Sequence, residues 1–332
     1  MIWLWLGLAM AEEFHVVRDG ETVESIAEML GSESAEAIRA QNGLAGEAQP
    51  APGTLLRLPE GIAAVSCQPS YVLSHHGTGR VTLPGADPIP LRDYQPLPSG
   101  STVCTDEKSF ASVRMSSSLD DRTHNDVTLM PQTCVKVRTS YTGARRTSML
   151  SLSEGEVTVQ ATSGDAAVVV ETASGVALGE DGGFRVAVES EAMRTEAVAG
   201  DVATMAQGEQ VDVEEGFGNR VRTGEAPGKP VALLPAPALV LPEDGVPLRR
   251  PDFTWEPVPR SVWYYLEVSR SPRFDEIVFR LRPELPEVRE DSFFLPFDVP
   301  ELWWRVIPVD RTGFQGMPAV ARRIAFPAGV GP

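Results

Sequence analysis

The side chains that most often carry chemistry are sparse in this sequence, and those present are badly spaced for it. The histidines are His15, His75, His76 and His124. His75 and His76 are adjacent, and consecutive residues of a strand point to opposite faces, so they do not converge on a metal ion. A solvated linker accounts for them. The three cysteines, Cys67, Cys104 and Cys134, make no C-x-x-C pair and no His/Cys cluster, so no metal site is expected. G-x-S-x-G, H-E-x-x-H, the Walker loop and the dinucleotide fingerprint are all absent. Acids are plentiful, and glycoside hydrolysis needs only two carboxylates about 5–10 Å apart. No pattern nominates such a pair, and Asp120-Asp121 sits in the polar stretch Ser116 to Asn125, which reads as a loop. The sequence therefore points to no catalytic residue, no metal and no cofactor.

The 332-residue chain is long enough for two or three domains, and its 42% hydrophobic content can bury real cores. Its 29 glycines and 28 prolines punctuate β-branched runs, the texture of β-rich modules joined by turns. A net charge of −17 repels phosphate backbones and anionic lipid, which disfavours nucleic-acid and membrane-surface partners. Residues 1–11 read as a signal peptide: an apolar run, Ile2 to Met10, then Ala9-Met10-Ala11 before Glu12-Glu13, with small residues where signal peptidase needs them. The segment lacks a basic start, so the signal is expected to be truncated, and a buried N-terminal strand is the alternative. No later stretch reaches transmembrane length, so no integral membrane segment is expected in the mature chain. In an oxidising compartment Cys104 and Cys134, on neighbouring strands, are expected to pair and leave Cys67 free; a reduced, buried pair is the alternative.

The elements that position the remaining candidates begin with residues 12–60. Phe14 to Val17 is a short strand, and Thr22 is a good N-cap. Val23, Ile26, Ala27 and Leu30 follow at helical spacing up to Gly31. A second helix covers Ala35 to Gln41 and stops at Asn42-Gly43, and Thr54 to Leu58 is a closing strand. The string Val17-x-x-Gly20-Glu21-Thr22-Val23-x-x-Ile26-Ala27, then Asn42-x-Leu44 and Pro52-Gly53-x-x-Leu56-x-Leu58-Pro59, resembles a LysM module. It departs at Glu21, where the family usually has Asp, and in the long loop Ala45 to Ala51. The resemblance implies a βααβ fold and binding of peptidoglycan or another N-acetylglucosamine polymer. The groove would be formed by Gly20, Glu21, Thr22, Val23 and the loop ending at Gly53. Gly20 and Thr22 also have purely structural uses, as turn and helix cap.

After a linker over 61–76, residues 77–223 read as strand after strand with turn signals every eight to twelve residues. Gly79-x-Val81, Leu97-x-x-Gly100-x-x-Val103-x-Thr105, Leu129-x-Pro131-x-Thr133, Leu152-x-x-Gly155-x-Val157, Gly182-Gly183-x-x-Val186 and Thr195-x-Ala197-Val198-x-Gly200-x-Val202 occur in order. This set resembles a FecR domain, which implies an extracytoplasmic all-β domain of interaction type. The membrane helix and cytoplasmic part of the family's named member find no counterpart in these residues.

A Pro-rich linker over 224–238 leads to residues 239–328. Phe253-x-Trp255, Tyr264-x-Leu266-x-Val268, Leu302-x-Trp304-x-Val306 and Asp310-x-x-Gly313 resemble a fibronectin type III-like β-sandwich. Strand parity puts Tyr264, Leu266, Val268, Leu302, Trp304 and Val306 inward. Trp263, Tyr265, Trp303 and Arg305 then point outward as a protein-interface patch, which serves either an unknown envelope protein or the preceding domain of the same chain. The expected whole is a mainly β, multidomain protein, exported to the periplasm, cell envelope or cell surface. It would bind glycan and present β-domains for protein interaction or scaffolding. A carbohydrate-active enzyme with an unrecognised catalytic domain and an extracytoplasmic signalling ectodomain are the alternatives.

Overall fold

The computed structural model describes residues 14–30, 35–58, 67–68, 70–115, 117–118, 124–142, 145–162, 166–246, 252–289 and 301–325. The signal-peptide reading, the helix stop at Gly31 and Asp120-Asp121 lie outside them.

The first unit has the order strand Phe14–Val16, helix Val23–Leu30, helix Ala35–Gln41, strand Leu55–Arg57. Thr22 and Ser25 cap the first helix reciprocally: Ser25 N donates to Thr22 Oγ1 (3.1 Å) and Thr22 N to Ser25 Oγ (2.9 Å). The strands pair antiparallel, Phe14 opposite Arg57 and Val16 opposite Leu55. Val17, Val23, Ile26, Ile38, Leu56 and Leu58 form the small core.

The central β-domain is built from two ladders that curl around one core. The first runs in space Pro96–Leu97, Ser70–His76, Phe110–Arg114, Asp126–Leu129, Arg145–Ala161, Gly182–Glu189, Ala192–Ala199, Phe217–Arg222, Val231–Ala232. The second runs Ile89–Pro90, Gly79–Thr82, Thr102–Thr105, Cys134–Thr142, Arg145–Ala161, Ala166–Glu171, Val176–Gly179, Val202–Ala206, Glu209–Val213. The 17-residue strand Arg145–Ala161 belongs to both, its first part in one ladder and its last part in the other. Gly155 lies between those parts at φ +87°, and a Cβ there would overlap Thr133 Oγ1, so a larger residue would displace the neighbouring strand's turn. Val72, Val103, Val127, Leu150, Val157, Phe184 and Val186 share the core between the ladders.

Two linker readings are corrected here. Ser70–His76 is a full strand of the first ladder, and Cys67–Gln68 pairs with Ser117–Ser118. Val231–Ala232, inside the Pro-rich stretch, pairs with Phe217–Gly218. Prolines flank that strand but do not occupy it, so its amides stay available to the ladder.

The C-terminal unit packs the sheet Leu239–Leu241, Phe253–Trp255, Glu287–Val288 against the sheet Ile277–Leu281, Ser261–Ser269, Glu301–Asp310, Arg322–Ala325. Tyr264, Leu266, Val268, Leu302, Trp304 and Val306 are buried between them with Phe253 and Trp255. Phe253 meets Trp304 edge-on at 4.9 Å, and Trp255 meets Tyr264 at 5.3 Å. No helix among the described residues is long and apolar enough to cross a membrane.

Candidate binding surfaces

Each outer face of the central domain carries a docked flanking unit over part of its area, and the two contacts differ in chemistry. The N-terminal contact is apolar. Phe14, Val16 and Leu55, on the outer face of the small two-stranded sheet, pack against Met149, Val169, Val176, Leu178 and Met205 of the second ladder. Polar links frame it: Arg18 pairs with Glu180 (2.6 Å), and Asp19 N donates to Gln210 Oε1 (3.0 Å).

This docking determines what the glycan-site candidates can do. Gly20 is exposed at φ +77°. Glu21 accepts from His15 Nε2 (2.8 Å) and Arg18 N (2.9 Å). Burial alone would raise its carboxyl, but those hydrogen bonds outweigh burial and hold it below its ordinary value. Thr22 is spent on the helix cap. The Val23 side chain is in the core, and its amide donates to Gln49 Oε1 (2.9 Å). Gln49 Nε2 reaches on to Glu24 Oε2 (2.9 Å), so this side chain bridges the space between the two loops. Gly53 donates to Val17 O (2.7 Å), and a Cβ on it would lie 2.9 Å from Met205 Cβ. One side of the candidate groove therefore abuts the central domain, and its best-placed amide already has a partner.

The C-terminal contact is dominated by charge. Glu156, Arg185, Arg194 and Glu196 stand on the outer face of the first ladder, and Glu267, Arg280 and Arg305 on the facing sheet. Glu156 Oε1 accepts from Arg280 Nη1 (3.2 Å) and Oε2 lies 3.3 Å from Arg194 Nη2. Arg280 Nε approaches Glu267 Oε1 (3.2 Å), and Arg305 Nε donates to Glu267 Oε2 (2.8 Å). Gln315 sits at the centre. It donates through Nε2 to Glu156, accepts from Arg280 Nη2 (2.9 Å), and gives its backbone amide to Glu196 Oε1 (2.9 Å). Arg185 donates to the carbonyls of Gln315 (3.1 Å) and Gly316 (2.7 Å).

At Glu156, Glu196 and Arg185 burial opposes the charge, and the neighbours decide the outcome. At Glu156 the desolvation is overcome by Arg280, Arg194 and the Gln315 hydrogen bond, which hold the carboxyl below its ordinary value. At Glu196 burial wins and the carboxyl is pushed up. Burial likewise lowers Arg185.

The aromatic patch belongs to this same face. Tyr265 carries the Arg280 guanidinium on its ring at 3.6 Å, and Arg305 lies over Phe274 at 3.9 Å. Trp303 packs against a cross-boundary cluster of Phe110, Met130, Phe274 and Ile277. Trp263 carries Arg282 on its ring at 4.0 Å. Cys104 and Cys134, directly opposite on paired strands, form a disulfide in the second ladder.

Residues 101–203 match the family model described as FecR protein. This stretch is a FecR domain. No curated protein matches the chain. Two crystal structures of a provisionally assigned anti-sigma factor from Parabacteroides distasonis are similar, with 14% sequence identity and a TM-score of 0.31. Each similarity covers 39% of this chain and 57% of that protein, so the chain spans well under two thirds of its length.

The matched stretch contains the outer-face charges Glu156, Arg185, Arg194 and Glu196, and also the docking residues Met149, Val169, Val176 and Leu178. Sequence reasoning did not single these out. The available signal was Arg194-x-Glu196 at outward parity in an otherwise apolar strand of the FecR domain, with Arg185 outward on the strand beside it.

Proposed function

We propose that this chain is a non-enzymatic signalling or interaction ectodomain of the cell envelope, organised around its FecR domain. FecR domains belong to envelope signalling proteins, and their members are generally non-enzymatic. The observation that carries the reading is the occupancy of both outer faces of the FecR domain. The flanking units are docked through a packed apolar contact on one side and a buried ionic network on the other. A partner that engages either flanking unit therefore acts on surfaces continuous with the FecR domain, the arrangement a relay or scaffold requires. The test is a deletion of the coding sequence with transcript profiling, alongside labelling of the native chain with a membrane-impermeant reagent. Labelling from outside the cytoplasmic membrane with an altered set of envelope transcripts is expected. A chain protected from the reagent, or unchanged transcripts, overturns the signalling reading.

A second reading, anchoring to peptidoglycan, is supported by the β-α-α-β order of residues 14–57 and their LysM-like string. The groove would have to release Gln49 from Val23 N before that amide could meet an N-acetyl group. One small unit offers little surface, so useful affinity would come from repetition along the polymer. Sedimentation with insoluble peptidoglycan should retain the full chain, and Gln49→Ala should retain it at least as well. Failure of the full chain to sediment would sink this second reading.

A further inference from the structure

A cleft of about 960 Å³ opens where the strand Phe217–Arg222, the segment that follows it and the turns of the C-terminal unit meet. That volume is near the top of the range of about 300–1,000 Å³ usual for ligand pockets. In a chain of net charge −17, this cleft is lined by five cations, Arg220, Arg222, Lys229, Arg260 and Arg311, against the carboxylates of Glu225 and Asp310. Some of that charge is already engaged. Arg220 is paired with Glu189 at 2.7 Å and lies over Phe314 at 4.9 Å, and Arg222 is 3.6 Å from Glu225. Asp310 closes its own turn, accepting from Thr312 N (2.8 Å), Thr312 Oγ1 (2.7 Å) and Phe314 N (3.0 Å). Lys229, Arg260 and Arg311 have no ion pair among the described residues, and they come from three separate segments of chain. Between them the lining includes Val231 and Val262, 45% and 42% exposed.

We infer that this cleft is a docking site for an acidic peptide segment with apolar side chains between its carboxylates. The inference rests on reading the chain as an interaction protein, and it supplies that reading with a site and a partner chemistry. The cleft offers apolar ground, Val231 and Val262, beside its cations, which suits a ligand that carries both carboxylates and apolar groups. An extended peptide turns successive side chains to opposite faces, so within a cleft its carboxylates can meet the cations while its apolar groups meet the other side. Three cations without an ion pair gathered in one cleft of an acidic protein favour the encounter of an acidic partner there.

The test uses the full chain and a short fluorescein-labelled peptide alternating Glu and Val, read by anisotropy. Saturable binding is expected, weakened by added salt and absent for the peptide alternating Gln and Val. Arg260→Glu and Arg311→Glu should each weaken it by about tenfold, which corresponds to about 1.4 kcal/mol. Lys229→Glu should act in the same direction, and thermal unfolding of each variant shows that the fold is kept. Equal binding of the Gln peptide, unaltered affinity of all three folded variants, or tighter binding of an anionic polysaccharide at the same site would overturn the inference. None of these outcomes alters the transcript, labelling or sedimentation results, so the two readings fail separately.

Discussion

Glu156 of the FecR domain and Arg280 of the C-terminal unit meet across the boundary between them at 3.2 Å, and Arg280 is the strongest of the attractions that hold the Glu156 carboxyl below its ordinary value against its burial. Gln315 joins the two carboxylates directly, its side chain bonded to Glu156 and its backbone amide to Glu196, so a carboxylate held below its ordinary value and one pushed above it share one residue.

That difference predicts unequal responses to neutralisation. At pH 7 Glu156→Gln should cost about 1–3 kcal/mol of unfolding free energy, because a charge-assisted hydrogen bond is lost inside the network. Glu196→Gln should cost less, because burial makes the charged form of Glu196 the expensive one. Linkage sets the pH dependence. The Glu156 contribution is present above its unfolded value near 4.5 and is lost as pH falls through its lower folded value, so wild type and E156Q should converge in acid. The Glu196 shift has the opposite sign: its contribution is present below 4.5 and is lost as pH rises through the raised value. Urea denaturation across pH checks both, and equal losses for the two variants at pH 7 contradict the account.

In the N-terminal unit the Glu24 carboxyl is held at about 2, chiefly by the hydrogen bond from Arg39 Nη2 (2.5 Å) and then by Gln49. Arg39→Ala should therefore return Glu24 towards its ordinary 4.5, and Gln49→Ala should move it by a smaller amount. Side-chain carbonyl chemical shifts followed through an acid titration measure this directly. A Glu24 titration unchanged by Arg39→Ala would show that the guanidinium does not hold it.

The Cys104–Cys134 bridge closes a loop with a sequence separation of 30. On the chain-entropy account a loop of that length contributes about 3–4 kcal/mol by restricting the unfolded chain. Replacing both cysteines by serine should lower stability by about that amount, and wild type in reductant should behave alike. Non-reducing peptide mapping should find the two joined to each other and neither joined to Cys67.

Trp303 and Trp263 separate the boundary from its surroundings. Trp303→Ala removes packing against Phe110 and Met130 of the FecR domain and should expose the boundary to limited proteolysis. Trp263 instead lies beneath Arg282, a residue of its own unit, so Trp263→Ala should leave the cleavage pattern close to wild type. Equal protection of the two variants would mean that Trp303 does not contribute to the contact.

Local periodicity and turn chemistry determined much of the element list. Thr22 capping a helix, Val23 and Ile26 on its buried stripe, and the alternation of Tyr264, Leu266 and Val268 all follow from spacings of three to four residues or of two. A Cys104–Cys134 pair is expected from the sequence, but strands such as Phe110–Arg114 and Asp126–Leu129 lie between the two, and the ladder is what sets them opposite each other. The tertiary structure alone decided which outward faces are covered. Parity places Tyr265 and Arg305 away from their own core, but it does not say that the outer face of a FecR domain lies opposite them. It is equally silent on Gln49, which closes a space between loops 26 residues apart in the chain. Strand Ser70–His76 reads as linker because Val72 is its one buried apolar side chain and makes no alternating stripe, and pairing with Phe110–Arg114 and Pro96–Leu97 makes it a strand. Periodicity reports what a segment buries against its own unit; Glu156, Arg280 and Gln315 are buried against another, and only that long-range contact fixes their charge and hydrogen bonding.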